Sequence, residues 1–293
     1  MTPEELLAAM GSVDDTLEFR ETYLRVPFSY PGSKSMSLKH ILPKLPNLST
    51  FVEVFGGSGV VMLNRPASDL DVFNDRYSGV VSFFRVVRDN SLRQKLIERI
   101  ALSPHSREEF MWSKQTWESC QDDVERAARW YIMVQSSFAG RGRFFGRVVK
   151  GKGLMWRKIQ ENLDLFEDIA QRFLSIQLEN LDWRFCLTDF DQPDTVFYLD
   201  PPYWEHNIYD NIMTKKDHQE MCERIFQCKG FVALSGYSNN LYDQYPWDNI
   251  FQWEVGDHMM TQATTTNTSL VHNRLDINRG KKQVEYLFIK EAA

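Results

Sequence analysis

Cysteine is scarce in this 293-residue chain: there are four, and none forms a C-x-x-C pair. Nor do the six histidines cluster around Cys120, Cys186, Cys222 or Cys228. This argues against a disulfide framework and offers no zinc-site spacing. The thiols are read as reduced and mostly buried, and no metal is expected. Long apolar runs are lacking too. No stretch of about 18 apolar residues occurs, so no membrane span is expected. The opening MTPEELLAAMGSVDD is acidic and has no apolar core of the kind a signal peptide needs, which predicts a cytoplasmic protein. Basic excess is missing as well, with 34 Lys and Arg against 40 Asp and Glu, a formal charge of −6. That weighs against a general nucleic-acid coat, although it leaves local basic patches open. No internal repeat is visible.

What the chain does have is apolar and aromatic material. Hydrophobic residues make up 43% and aromatics 13%, with eight Trp, enough for one large domain or two modest ones. Residues 1–20 read as a short acidic lead-in with helical character. YPGSK (30–34) is a turn with a lysine at its exit. Leu38, Ile41, Leu42 and Leu45 recur at helical spacing and Pro46 closes that run. TFVEVF (50–55) reads as a buried strand, GGSG (56–59) as a glycine turn, and VVMLN (60–64) as the opening of a helix. DLDVFND (69–75) is a second strand, and 77–89 a helix with Val80, Val81, Phe84 and Val87 on one face.

From about 91 to 180 the texture is helical, charged and Trp-bearing, broken by SSFAGRGRFFGRVVKGKG (136–153). TVFYLD (195–200) returns to a strand. Residues 214–228 form a helix with a Thr214–Asp217 capping box. Residues 230–238 and 283–290 are further strands, the latter the last. Strands alternating with helices at both ends predict an α/β fold with a largely parallel sheet and a helical insertion. The expected divisions are 21–90 and 181–293 for one sheet domain and 91–180 for the insertion.

Two stretches carry chemistry. FVEVFGGSGVVML (51–63) is strand, glycine turn and helix, where a ligand can approach backbone N–H groups closely. A tight turn alone would use the same glycines. The next strand ends in Asp75, where nucleoside-binding α/β folds place a carboxylate for the ribose diol. The turn is not GxGxxG and no P-loop lysine follows, so an adenosyl group without phosphates suits it better than a pyrophosphate.

The second stretch is FYLDPPYW (197–204). A DPPY tetrapeptide arises by chance in such a chain on the order of once in a thousand. It follows a strand, at the sheet edge where α/β sites lie. Pro201 and Pro202 stiffen the backbone and carry no N–H. Asp200 and the Pro201 carbonyl are then two acceptors side by side, suited to one exocyclic NH2 group. Tyr203 offers a face for a base to stack on, which together describe a pocket for a flipped-out, aminated base.

YPGSK, FVEVFGGSGVVMLN, DVFNDRYSGVVSFFRVVRD and FYLDPPY, in this order, resemble the Dam-type (D12 class, α group) DNA adenine-N6 methyltransferases. The resemblance implies a Rossmann-like sheet of seven strands, S-adenosylmethionine, double-stranded DNA as substrate, and a target-recognition domain inserted before DPPY. It implies no metal or membrane, a monomer or weak dimer, and a place in a bacterial or phage-infected cell. Carried over by position, Tyr30 and Lys34 would sit near the methionine end of the cofactor. Phe55, Gly57 and Gly59 would form its turn. Asp75 would hold the ribose, with Glu53 the next candidate. Asp200, Pro201, Pro202 and Tyr203 would hold the adenine. The family usually reads GGK where this chain has Gly32-Ser33-Lys34. The segment TTTNTSLVHNRLDINRGKKQVEYLFIK resembles the family's C-terminal motif only loosely.

From Arg141 to Lys158 lie Arg141, Arg143, Arg147, Lys150, Lys152, Arg157 and Lys158, with no Asp or Glu, and Phe144, Phe145 and Trp156 interleave. In an acidic chain this is the best candidate for phosphate contact; a solvated loop is the plain alternative. Two rival functions stand. A cytosine-N4 methyltransferase needs the same clamp but usually carries Ser in place of Asp200. A catalytically silent DNA-binding protein on this scaffold would not need Asp75, the glycine turn and Asp200 together.

Overall fold

The computed structural model describes residues 23–147, 154–204, 213–255 and 283–293; the side chains of 154–156 and 283 are outside that description. Seven strands form one sheet: β1 Thr50–Glu53, β2 Leu70–Asn74, β3 Gln177–Glu179, β4 Thr195–Leu199, β5 Phe231–Gly236, β6 Asn249–Val255 and β7 Gln283–Lys290. Their spatial order is β3-β2-β1-β4-β5-β7-β6. β7 runs antiparallel to both of its neighbours, and the other pairings are parallel.

Side chains alternate between two apolar layers, as the period of a strand requires. Phe51, Phe73, Tyr198, Ala233 and Leu287 face one layer. Val52, Val72, Phe197, Val232 and Phe288 face the other. β4 and β5 are buried along their whole length, which explains their unbroken apolar runs. The helices Trp183–Asp189 and Lys215–Ile225 cover the second layer. The helix Ser78–Arg88 covers the first, with Val80, Phe83, Phe84, Val86 and Val87 wholly buried.

The charged middle of the chain adds to that first layer. Helices Asn90–Ala101, Arg107–Thr116 and Asp123–Gln135 start at Asp89, Ser106 and Asp122, whose side chains cap them. Trp130 and Tyr131 lie in the same cluster as Phe83 and Phe84, joined by Phe110, Trp117 and Phe166. The helices of the insertion therefore share one core with the sheet.

Three elements differ from the sequence expectation. The helix predicted over 37–46 is a short turn, Leu38–Ile41, that tightens to a 3-10 turn at Leu42–Lys44, where Pro43 cannot supply an N–H. β3 has only three residues, none of them buried, and β6 is a sheet edge with mostly exposed positions. Both lack the apolar signal that marks a central strand. The lead-in 1–20 lies outside the described residues, as do TTTNTS and NRGKK. Among the described residues no helix is long and apolar enough to cross a membrane.

Candidate active site

The strand order places the site. The chain leaves β1 in one direction across the sheet, toward β2 and β3, and leaves β4 in the other, toward β5. Such a reversal opens a crevice beyond the carboxyl ends of the strands. A cleft of about 780 Å³ lies there, lined by both the glycine turn after β1 and the loop after β4.

At the β1 end the turn is left-handed at Gly57 (φ 51°) and Gly59 (φ 71°), a region L side chains rarely adopt. A Cβ on Gly57 would come within 3.0 Å of the Tyr30 ring. Gly57 N donates to Asp75 Oδ2 and Tyr77 N to Asp75 Oδ1, both at 2.7 Å. These bonds fix the Asp75 carboxylate while leaving each oxygen further acceptor capacity. Burial pushes Asp75 up to about 6, against the pull of the two backbone donors. Glu53 is 2% exposed and accepts from Met62 N at 3.0 Å. Burial holds it well above the ordinary carboxylate range, and the charges of Asp200 and Asp75 add to that. Tyr30, Lys34, Glu53, Phe55, Gly57 and Asp75 all line the cleft. Gly59 makes the turn but faces the Phe84 ring, 3.2 Å from its would-be Cβ.

At the β4 end Asp200 is gripped from two sides. Lys34 Nζ lies 2.7 Å from Oδ2, and Tyr203 OH donates to Oδ1 at 3.0 Å. Lys34 Nζ also pairs with Glu285 Oε1 at 3.1 Å and donates to Gly32 O at 3.1 Å. Burial works against the charge on Lys34, but the Asp200 and Glu285 carboxylates outweigh it and hold the ammonium well above the usual lysine range. Burial raises Asp200, with the Lys34 charge pulling the other way. Lys34, expected at the methionine end of a cofactor, thus turns its ammonium onto the DPPY carboxylate.

Pro201 is buried and Pro202 lines the cleft. The Pro202 carbonyl is taken by His218 Nε2 at 3.0 Å, and His218 Nδ1 lies 2.6 Å from Tyr242 OH. Burial drives His218 down to about 4, so its ring is neutral at pH 7. The network then assigns the proton to Nε2, which donates to Pro202 O, while Nδ1 accepts from Tyr242. The Tyr203 ring packs against Tyr237, 4.7 Å between centroids at 51°. A desolvated carboxylate held this way can accept hydrogen bonds from an amine and stabilise positive charge on it.

The model of the D12 class N6 adenine-specific DNA methyltransferases matches residues 30–262. The chain belongs to that family. It is also similar to Modification methylase LlaI of Lactococcus lactis subsp. lactis, 24% identical over 188 residues. That match covers 60% of this chain and 29% of the relative, so the chain answers to well under two thirds of the relative's length.

In this D12 class member the basic segment begins as a small hairpin. Phe138 N donates to Phe144 O and Gly146 N to Ser136 O, both at 2.8 Å. Gly142 N donates to Ser137 Oγ at 2.8 Å, and Lys114 Nζ to Arg143 O at 2.9 Å. Arg141 and Arg147 are exposed, Arg143 is half-buried, and Arg141 and Arg143 reach the cleft wall. Phe144 is 75% exposed. Phe145, one of the rings that interleave with the basic residues, stacks on His105 with centroids 4.8 Å apart, against the core. Arg157 is exposed, and Lys158 Nζ meets Ser29 Oγ at 2.7 Å. Lys150, Lys152 and the side chain of Trp156 lie outside the described residues.

Sequence reading missed part of the cleft lining. Leu181 and Trp183 wall the cleft beside Asp75. They follow β3, whose faint apolar pattern left the stretch unmarked. His218 gave no local signal, and Glu285 only the loose C-terminal resemblance. Cys186, Cys222 and Cys228 are buried free thiols and Cys120 is half-buried. Among the described residues no group of His, Cys, Asp and Glu is arranged to hold a metal ion.

Proposed function

We propose that this protein transfers the methyl group of S-adenosylmethionine to N6 of an adenine flipped out of duplex DNA. One observation carries the reading: Asp200, a desolvated carboxylate at the end of β4, opens onto the same cleft as the glycine turn and Asp75. The residues fit the cofactor. Asp75 is a pre-oriented acceptor for a ribose diol, and the bare backbone at Gly57 allows close approach beside Tyr30 and Phe55. When bound, S-adenosylmethionine supplies an electrophilic methyl group on a sulfonium centre.

Asp200 and the Pro201 carbonyl accept the two N6 hydrogens, which turns the nitrogen lone pair out of ring conjugation. A carboxylate is too weak a base to deprotonate the neutral amine. Its work is electrostatic: it stabilises the positive charge that grows on N6, and it is the nearest acceptor for the N6 proton afterwards. Holding the amine in place contributes further. Pro202, braced by neutral His218, keeps the loop from relaxing. We assign 91–176 to target recognition, 21–90 and 177–293 to the catalytic unit because β3 belongs to its sheet, and phosphate contact to Arg141, Arg143, Arg147, Lys150 and Lys152. The modification methylase among its relatives fits a protective role. Nucleoside mass spectrometry of duplex DNA incubated with the protein and S-adenosylmethionine tests this. N6-methyladenine is expected; N4-methylcytosine, or no methylated base, overturns the reading.

A further inference from the structure

β7 runs against its neighbours, so its first residues arrive at the edge where the parallel strands end. Glu285 stands there, 5% exposed, opposite Trp253 in the β6–β7 register. It lies beyond residue 262, where the family match stops. Its Oε1 is 3.1 Å from Lys34 Nζ, which in turn is 2.7 Å from Asp200 Oδ2. Its Oε2 accepts from the Ser37 hydroxyl, and that oxygen accepts from Trp253 Nε1 at 3.0 Å. Both carboxylate oxygens of Glu285 are therefore held.

The charges explain why this matters. Lys34 paired with Asp200 alone would make a formally neutral unit, a weak attractor for positive charge developing beside it. With Glu285 the cluster has two carboxylates and one ammonium, a formal charge of −1. We infer that Glu285 is a positioning residue for methyl transfer: it anchors and shares the Lys34 ammonium, leaving Asp200 an uncancelled anion toward the base amine. The inference rests on the proposed reading that Asp200 receives that amine. The other groups acting on Asp200 fit the same account. Tyr203 OH donates to it, and the buried Tyr198 and Glu53 feel its charge. Glu285 itself raises the proton affinity of Asp200, opposing Lys34.

Glu285→Gln keeps size and an acceptor oxygen but removes the charge. Its single-turnover methylation rate should fall by about tenfold or more, as expected for deleting one buried charge near the reacting atoms. Cofactor affinity, measured by calorimetry, should stay within about twofold, because the Asp75 end is untouched. Glu285→Asp restores the charge and should recover part of the rate. A second readout needs no activity. With aspartate carboxyl carbons labelled with 13C and the Asp200 signal assigned from Asp200→Asn, the Asp200 titration midpoint should fall in Glu285→Gln, since Lys34 then pairs with Asp200 alone. A merely structural brace would lower the unfolding temperature and leave both the rate and that midpoint unmoved, which overturns the inference. If the parent methylates no base, the functional reading fails, yet the midpoint still decides whether Glu285 governs Asp200. Should Glu285→Gln not fold, Glu285→Asp tests the same point, because its shorter side chain sets the charge back from Lys34 and Asp200. A smaller fall in rate and in the Asp200 midpoint is then expected, and the absence of both is equally decisive.

Discussion

The acidic corner around Asp200 and the basic hairpin of residues 136–147 are opposite solutions to holding charge. The corner is largely buried and is assembled from distant parts of the chain: Lys34, Asp200, Tyr203 and Glu285. The hairpin is local and wet, closed by bonds between neighbours and carrying the exposed Arg141 and Arg147. Where water is excluded, each charge strongly perturbs the next, and one substitution should matter greatly. Where water is present, screening weakens every interaction, and only their sum should register. The difference suits the two tasks proposed for them, stabilising one nitrogen and following a repeating row of phosphates.

The largest effect expected is at the corner. Asp200→Ala should cut methyl transfer by at least about a hundredfold, the loss typical of one transition-state electrostatic partner. Cofactor binding should survive, since Asp75 and the glycine turn are unchanged. Activity within tenfold of the parent would remove Asp200 from the mechanism and blur the contrast between the regions.

Next comes the other cleft carboxylate. Asp75→Ala should weaken S-adenosylmethionine binding by roughly 1.5–3 kcal/mol, the worth of charge-assisted hydrogen bonds. The sign of its pH dependence follows from burial. Asp75 is raised to about 6, so acidification through that value adds a proton and takes away an acceptor. Cofactor affinity in the parent should therefore fall between pH 7 and 5, and this dependence should vanish in Asp75→Ala. Calorimetry at the two pH values checks both; equal affinities would move the ribose site elsewhere.

Gly140 ties the hairpin to the stretch leading into Tyr30 and gives the third effect. It is left-handed at φ 70°, and a Cβ there would meet the Ser29 carbonyl oxygen at 2.2 Å, one residue before Tyr30. Gly140→Ala should destabilise the fold by about 1–2 kcal/mol from backbone strain alone, with the clash adding to it. A denaturant midpoint that stays put would mean the hairpin yields freely and is not tied to the cofactor side.

The smallest single-site effects belong to the hairpin. Replacing Arg141, Arg143 and Arg147 with Ala should flatten the dependence of log affinity for DNA on log salt, by about 0.9 for each phosphate that is no longer neutralised. Filter binding across a salt series reads this directly. An unchanged slope would make the hairpin a solvated loop that DNA never meets.

The local devices of this protein are legible along the chain. FVEVFGGSG specifies strand, left-handed turn and helix, because only glycine takes positive φ cheaply at Gly57 and Gly59. TVFYL and FVALSG specify central strands, because burial on both faces demands continuous apolar runs. Thr214 and Asp217 specify a helix start through their mutual hydrogen bonds. D-P-P-Y marks Asp200 without any fold in view. Which groups answer these devices is settled only when the chain folds. β3 and β6 are edges with little apolar signal, so their places could not be read. Phe145 is as aromatic as Phe144, yet one is packed and the other exposed. Lys34 and Glu285 are 251 residues apart, and no spacing announces their pairing. The antiparallel course of β7 brings them together, because a reversed strand begins at the edge where its neighbours end.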